Sequence, residues 1–205
     1  MCGRPGSSVA ATLRCSRRSL LTSTLATGAA YAPCLAATGH ADTPPAESGP
    51  VSVDVSLLPA GQIQIVQWRG KPVWVLHRSA EMLATLESPS LLARLADPAS
   101  RQGSADGTPR YASNPLRSIR PDMFVGLAVC PHAGCQPTPR LKAGPNPERE
   151  DNWPGGFTCQ CHFATFDLAG RVFADRVTTK NIEVPRHMYG AGETLIIGRD
   201  QDGEA

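Results

Sequence analysis

The chain has few aromatic residues, 5% of its 205 positions, and almost no net charge, +2. Near-neutrality, with no Lys/Arg run in the body, removes the electrostatic basis for a nucleic-acid partner, and none is expected. No acidic residue occurs before Asp42, and no internal repeat is visible. What the chain does have is turn-formers: 19 Gly and 19 Pro. With so few aromatics, that composition suits short strands joined by many turns and argues against a helical bundle.

The first forty residues stand apart. Arg4, Arg14, Arg17 and Arg18 precede an uncharged stretch, residues 19–39. A paired arginine before a mildly apolar run has the form of a bacterial twin-arginine export signal, a route for proteins folded with their cofactor. The run matches the roughly 20 residues a membrane-crossing helix needs, although Thr22, Ser23, Thr24, Thr27, Gly28 and Pro33 weaken it. The expectation is a cytoplasmic leader (1–18) and a membrane anchor or cleaved signal (19–39). The bland alternative is a disordered extension. Residues 40–50 (HADTPPAESGP) lack hydrophobic periodicity and read as a tether.

Residues 51–205 form the expected domain. Residues 62–68 (QIQIVQW) alternate, with Ile63 and Ile65 on one face. Arg69-Gly70-Lys71-Pro72 then turns the chain into a return strand at 73–76. Ser79 is placed to cap a helix carrying Glu81, Met82, Leu83 and Leu86, which Pro89 ends or interrupts. Residues 97–121 read as a long polar loop, and 123–129 (MFVGLAV) as a buried strand leading into Cys130. A hairpin is expected from 163–168 and 171–174 around Ala169-Gly170, and 194–198 as the last strand. The fold class is mainly β with one helical insertion.

The chain has seven cysteines. Cys2, Cys15 and Cys34 lie in the N-terminal segment and have no visible role. The other four fall in two groups, Cys130-Pro131-His132-Ala133-Gly134-Cys135 and Cys159-Gln160-Cys161-His162. Each group holds two cysteines and one histidine. One Cys and one His from each would supply two sulfur and two nitrogen ligands, leaving a cysteine pair over. Two imidazoles on one iron of a [2Fe–2S] cluster neutralise less charge than thiolates, raising the potential from about −400 mV to about −150 to +300 mV. Imidazole also titrates, so such a site can take an electron and a proton together. Structural zinc on Cys₂His₂ and a pair of plain disulfides are the competing readings. Zinc more often uses C-x₂₋₄-C pairs than C-x-H. The isolated histidines His40, His77 and His187 have no partner ligands at usable spacing and read as structural. Trp68, Trp74 and Trp153 read as packing residues.

These motifs resemble the Rieske iron–sulfur subunits of bacterial cytochrome bc complexes. The likeness covers nearly the whole chain, including the Trp-Arg-Gly-Lys-Pro-Val-Trp-Val-Leu strand pair, Arg117-Ser118-Ile119-Arg120-Pro121, both Cys/His groups and Phe166-Asp167-Leu168-Ala169-Gly170-Arg171. The resemblance implies a Rieske fold of three small antiparallel sheets, with a cluster-binding part at about 128–175 and an N-terminal transmembrane helix. It implies one [2Fe–2S] cluster on Cys130, His132, Cys159 and His162, with His132 and His162 as the catalytic pair, and a disulfide between Cys135 and Cys161. Its implied partners are quinol as substrate and cytochrome b and cytochrome c1-type subunits, in a dimeric complex. Its implied location is the bacterial inner membrane, single pass, with the cluster domain on the periplasmic side.

The second group departs from the family pattern C-P-C-H-G-S. Phe163 replaces Gly, Ala164 replaces Ser, and Phe166 fills a position where Tyr also occurs. The family Ser and Tyr donate hydrogen bonds to cluster or ligand sulfurs, and Ala164 and Phe166 have no donor to offer. Ala133 stands for the family leucine, and Asp175-Arg176-Val177-Thr178-Thr179 for a Gly-Pro-Ala-Pro loop. Three functions follow: the quinol-oxidising subunit itself, a divergent lower-potential carrier for another partner without quinol turnover, and a zinc-stabilised binding module.

Overall fold

The computed structural model describes residues 49–102, 107–146, 150–174 and 177–204. The expected leader, the anchor and most of the tether lie outside the described residues, as do Asp175 and Arg176 of the replaced loop. Among the described residues, no helix is long and apolar enough to cross a membrane.

The chain order begins β1 (Val51–Asp54), β2 (Ile63–Trp68), β3 (Lys71–His77), α1 (Ala80–Leu86), α2 (Pro89–Leu92), β4 (Met123–Leu127) and β5 (Thr138–Arg140). It continues with β6 (Gly144–Asn146), β7 (Glu150–Trp153), β8 (Gly156–Thr158) and β9 (Thr165–Phe166). The last elements are β10 (His187–Tyr189), β11 (Thr194–Ile197), β12 (Arg199–Asp200) and β13 (Gly203–Glu204). They make three three-stranded antiparallel sheets, ordered β1-β11-β10, β2-β3-β4 and β5-β8-β9, and two ribbons, β6-β7 and β12-β13. The expected mainly β class with three small sheets is what the structure has.

The β2-β3-β4 sheet is covered on both faces. Because side chains alternate along a strand, Trp74, Leu76 and Phe124 enter one core while Val73, Val75, Met123, Val125 and Leu127 enter the other. A strand apolar on both sides shows no alternation, which is why β3 and β4 read as continuous apolar runs. The first core also holds Cys130, Cys159, Phe157 and Ala164, so the Cys/His groups grow out of packed structure.

Several expectations need correction. Ile63 packs on the first core, but Ile65 on the same face is 50% exposed. β2 is an edge strand, and its second anchorage comes from Val66 and Trp68, which pack against the other core. Ser79 does cap α1, its Oγ accepting the Met82 N–H at 3.3 Å. Pro89 interrupts the helix as expected and opens a second short one, α2, at a position where its missing N–H leaves no bond unmade. The hairpin after the second Cys/His group keeps only Thr165–Phe166 as strand and one bridge, Phe166 to Val172. Asp167 takes over the turn: Oδ1 accepts the Ala169 and Arg171 N–H groups and Oδ2 accepts Arg171 Nε–H at 2.7 Å. Nor is 194–198 the last strand, since β12 and β13 follow it.

The long polar loop is held by buried guanidiniums. Arg78 donates to the Leu116, Pro121 and Leu168 carbonyls. Arg117 donates to Ser100 Oγ, Thr108 Oγ1 and the Ile182 carbonyl. A guanidinium has five donors in a fixed fork, so one side chain can satisfy several carbonyls that no strand partner reaches.

Candidate metal centre

Two six-residue loops build the site, each closed in the same way. In the first, which links β4 to β5, the Cys130 N–H donates to the Cys135 carbonyl at 2.7 Å. In the second, between β8 and β9, the Cys159 N–H donates to the Ala164 carbonyl at 2.8 Å. The loops are neighbours because Thr158 of β8 pairs with both Thr138 of β5 and Thr165 of β9. Gly156 makes that approach possible, since a Cβ there would lie 2.0 Å from the Phe166 carbonyl oxygen. A disulfide between Cys135 and Cys161 ties one loop to the other.

The side chains sort by depth. Cys130 and Cys159 are free thiols, 2% and 1% exposed. His132 and His162 are exposed, their rings edge to face with centroids 4.6 Å apart. Burial pushes the Cys130 thiol up; the backbone N–H of His132 opposes this, and contact with the Cys159 thiol adds to it. The structure thus brings two buried cysteine sulfurs and two exposed imidazoles together on loops that one disulfide ties to each other. Cys159 Sγ also lies within 4.8 Å of the Cys135 and Cys161 sulfurs. Those two are bonded to each other and have no thiolate to give, so the three sulfurs are not a ligand set.

Of the histidines set aside as structural, His40 lies outside the described residues, and His77 and His187 stay outside the site. His77 Nδ1 lies 2.6 Å from the Leu58 carbonyl oxygen. His187 is buried, with Nδ1 2.8 Å from the Pro185 carbonyl oxygen and its backbone N–H donating to Tyr111 Oη. Trp68, Trp74 and Trp153 are buried as expected. Phe163, beside His162 and marked out in the sequence by its replacement of the family glycine, sits at φ +62 in the left-handed region and is 57% exposed.

Loops, buried thiols and surface imidazoles together define a Rieske-type domain, and a model of the Rieske [2Fe-2S] domain matches residues 114–186. The chain is 43% identical to the ubiquinol-cytochrome c reductase iron-sulfur subunit of Allochromatium vinosum, over 86% of this chain and 83% of that protein. The protein of the same name from Rhodospirillum rubrum is 33% identical, over 71% of this chain and 69% of its own length. The mitochondrial cytochrome b-c1 complex subunit Rieske of Candida albicans is 30% identical, and this chain spans 58% of it. The chain belongs to the Rieske iron–sulfur subunits of ubiquinol–cytochrome c reductase, whose domain carries one [2Fe–2S] cluster.

Proposed function

We propose that Cys130, His132, Cys159 and His162 hold the cluster, and that the chain passes electrons from ubiquinol to a cytochrome c-type haem as the iron–sulfur subunit of its complex. The observation that carries this is the pair of buried thiols beneath a pair of exposed imidazoles on disulfide-joined loops. Bound there, the cluster exchanges one electron at a potential that imidazole ligation raises above the all-thiolate range of about −400 mV. The buried Cys130 and Cys159 side chains hold the inner side away from water. The exposed imidazoles face outward, where a free ring nitrogen can accept a quinol hydroxyl proton as the electron departs. The Cys135–Cys161 bond keeps the loops from separating when the charge on the site changes.

The placement of the domain is part of the same reading. Residues 1–18 form the cytoplasmic leader and 19–39 the anchor in the inner membrane. Residues 40–50 form the tether, and 51–205 the domain on the periplasmic side, with cytochrome b and cytochrome c1-type subunits as neighbours in a dimeric complex. The arginines before residue 19 and the absence of acidic residues before Asp42 support this orientation. Deleting the gene is expected to abolish ubiquinol-dependent cytochrome c reduction in membranes, and restoring this chain alone to return it. Undiminished reduction after deletion overturns the proposal.

A second reading has its own support. Ala164, which closes the second loop, and Phe166 of β9 are buried and have no side-chain hydrogen to donate, which favours a carrier of lower potential serving another partner without quinol turnover. Failure of the restored chain to support ubiquinol oxidation, with its cluster intact, selects this reading.

A further inference from the structure

The chain has three tyrosines, and the two among the described residues, Tyr111 and Tyr189, line one cavity. It holds about 310 Å³ beside the edge strand β10, against the β12–β13 ribbon and the Tyr111 and Ile119 parts of the long loop. None of Cys130, His132, Cys159 and His162 lines it. The rings of Tyr111, His187 and Tyr189 stand edge to face in a row, with centroids 5.7 and 6.4 Å apart. Ile119 and Met188 extend the apolar wall, and Ile119 is 41% exposed. The polar groups are mostly acceptors. Asp200 and Asp202 line the cavity, and against these two carboxylates Arg186 brings one guanidinium, 3.3 Å from Asp200 Oδ1. That wall keeps one negative charge in excess. His187 Nδ1 lies 2.8 Å from the Pro185 carbonyl oxygen, so Nδ1 carries the hydrogen and Nε2 is left as an acceptor. Burial lowers the pKa of that imidazole, which keeps it uncharged and free of repulsion toward a cation.

Aromatic rings, an apolar wall and a surplus carboxylate together match a cation carried on an apolar stem. The same chemistry already occurs at the rim. The Arg120 guanidinium lies 5.0 Å from the Tyr189 ring centroid while paired with Asp122 and Glu193. A bare metal ion fits less well, because among the described residues no three His, Asp or Glu side chains bring their ligand atoms within 4.8 Å of one another. We propose that this cavity binds an organic cation, a guanidinium or primary ammonium on a short apolar stem. Its charge lies beside Asp200 and Asp202 and its stem along Ile119 and Tyr111. The group comes from a free amine or guanidine, or from a Lys or Arg side chain of a neighbouring subunit.

The test uses the full chain, alone in detergent and in its intact complex. The probe is n-butylguanidinium, read by saturation-transfer NMR, with 1-pentanol as the uncharged control. The wild-type chain is expected to bind the probe with a Kd on the order of 1 mM, and the alcohol about tenfold more weakly. Asp202→Asn should weaken probe binding roughly three- to tenfold. Ile119→Arg, which sets a guanidinium of the chain's own over the cavity, should abolish it. Both substitutions alter exposed side chains, so the unfolding midpoint should stay that of the wild type. No saturable binding, equal affinity for the alcohol, or unchanged binding in either variant overturns the proposal. If the cation is a free molecule, the complex binds the probe with the same Kd and retains the Asp202→Asn chain normally. If a neighbouring subunit supplies it, the complex no longer binds the probe and releases the Asp202→Asn chain more readily. Lost binding in the complex with normal retention of that variant means that the cavity is merely covered, and overturns the proposal.

Discussion

His132 and His162 present their rings edge to face, 4.6 Å between centroids, although 30 positions of chain separate them (162 − 132). The two loops carrying them are closed by matching backbone bonds, Cys130 to Cys135 and Cys159 to Ala164, and are joined by one disulfide. The site's geometry therefore depends on a few identifiable links, each of which can be cut.

The disulfide is the first. Its cysteines are 26 positions apart, a loop whose closure in the unfolded chain is worth about 3.5 kcal/mol by chain entropy. Cys135→Ser with Cys161→Ser is expected to lower the unfolding free energy by about 3 kcal/mol in denaturant titration. Iron should be lost from the protein first, because the loops separate before the sheets do. Full iron retention with unchanged unfolding would show that the backbone closures suffice.

The potential is the second. Ala164 at the end of the second loop and Phe166 of β9 are both buried, and neither donates a hydrogen bond from its side chain. The reduced site carries extra negative charge, and each charge-assisted hydrogen bond to it contributes about 1.5–3 kcal/mol. Ala164→Ser is therefore expected to raise the midpoint potential on the order of tens of millivolts, read by EPR-monitored redox titration. No change, or a fall, contradicts the assignment of this position.

A buried ion pair supports the second loop from below. Asp167 and Arg171 are fully enclosed, 2.7 Å apart, and Arg171 also donates to the Pro98 and Leu86 carbonyls. Removing one partner leaves an uncompensated charge in the core. Arg171→Met is expected to destabilise the domain by about 3–5 kcal/mol, measured by chemical denaturation. A change below 1 kcal/mol on that scale would mean that water reaches the carboxylate.

Acid sensitivity has a definite origin at His187. Burial pushes its imidazole below the usual value, only partly opposed by its bond to the Pro185 carbonyl and by Asp200. Tyr111 and Tyr189 pack edge-on against the ring. The unfolded chain binds the proton more readily than the folded one, so this contribution to stability is complete above about pH 6.5 and declines as the pH falls below it. His187→Gln should flatten that part of the stability–pH curve. An identical slope in the variant would assign the effect elsewhere.

The Cys/His spacing marked in the sequence the two short loops that the structure brings together and joins by the Cys135–Cys161 disulfide. The strands of the central sheet were legible because burial on both faces leaves an unbroken apolar run. Other features depend on tertiary contacts that no local pattern encodes. Ile65 follows the alternation of β2, yet it lies exposed on an edge strand. Residues 171–174 were expected to pair as a strand, but of their N–H groups only that of Phe173 reaches across the hairpin, to the Thr165 carbonyl, while those of Arg171, Val172 and Ala174 donate to Asp167 Oδ1, Asn181 Oδ1 and the Arg94 carbonyl. The ordering of the 97–121 loop comes from the buried guanidiniums of Arg78 and Arg117, whose burial no local pattern encodes.

The most direct test of the central claim is pulsed EPR on the reduced full-length chain labelled with ¹⁵N-histidine. The expected result is a [2Fe–2S] signal coupled to the nitrogens of two histidines, with one coupling and the native signal lost in His132→Cys or in His162→Cys. A cluster signal without histidine coupling, or protein that binds zinc and no iron, would contradict the account.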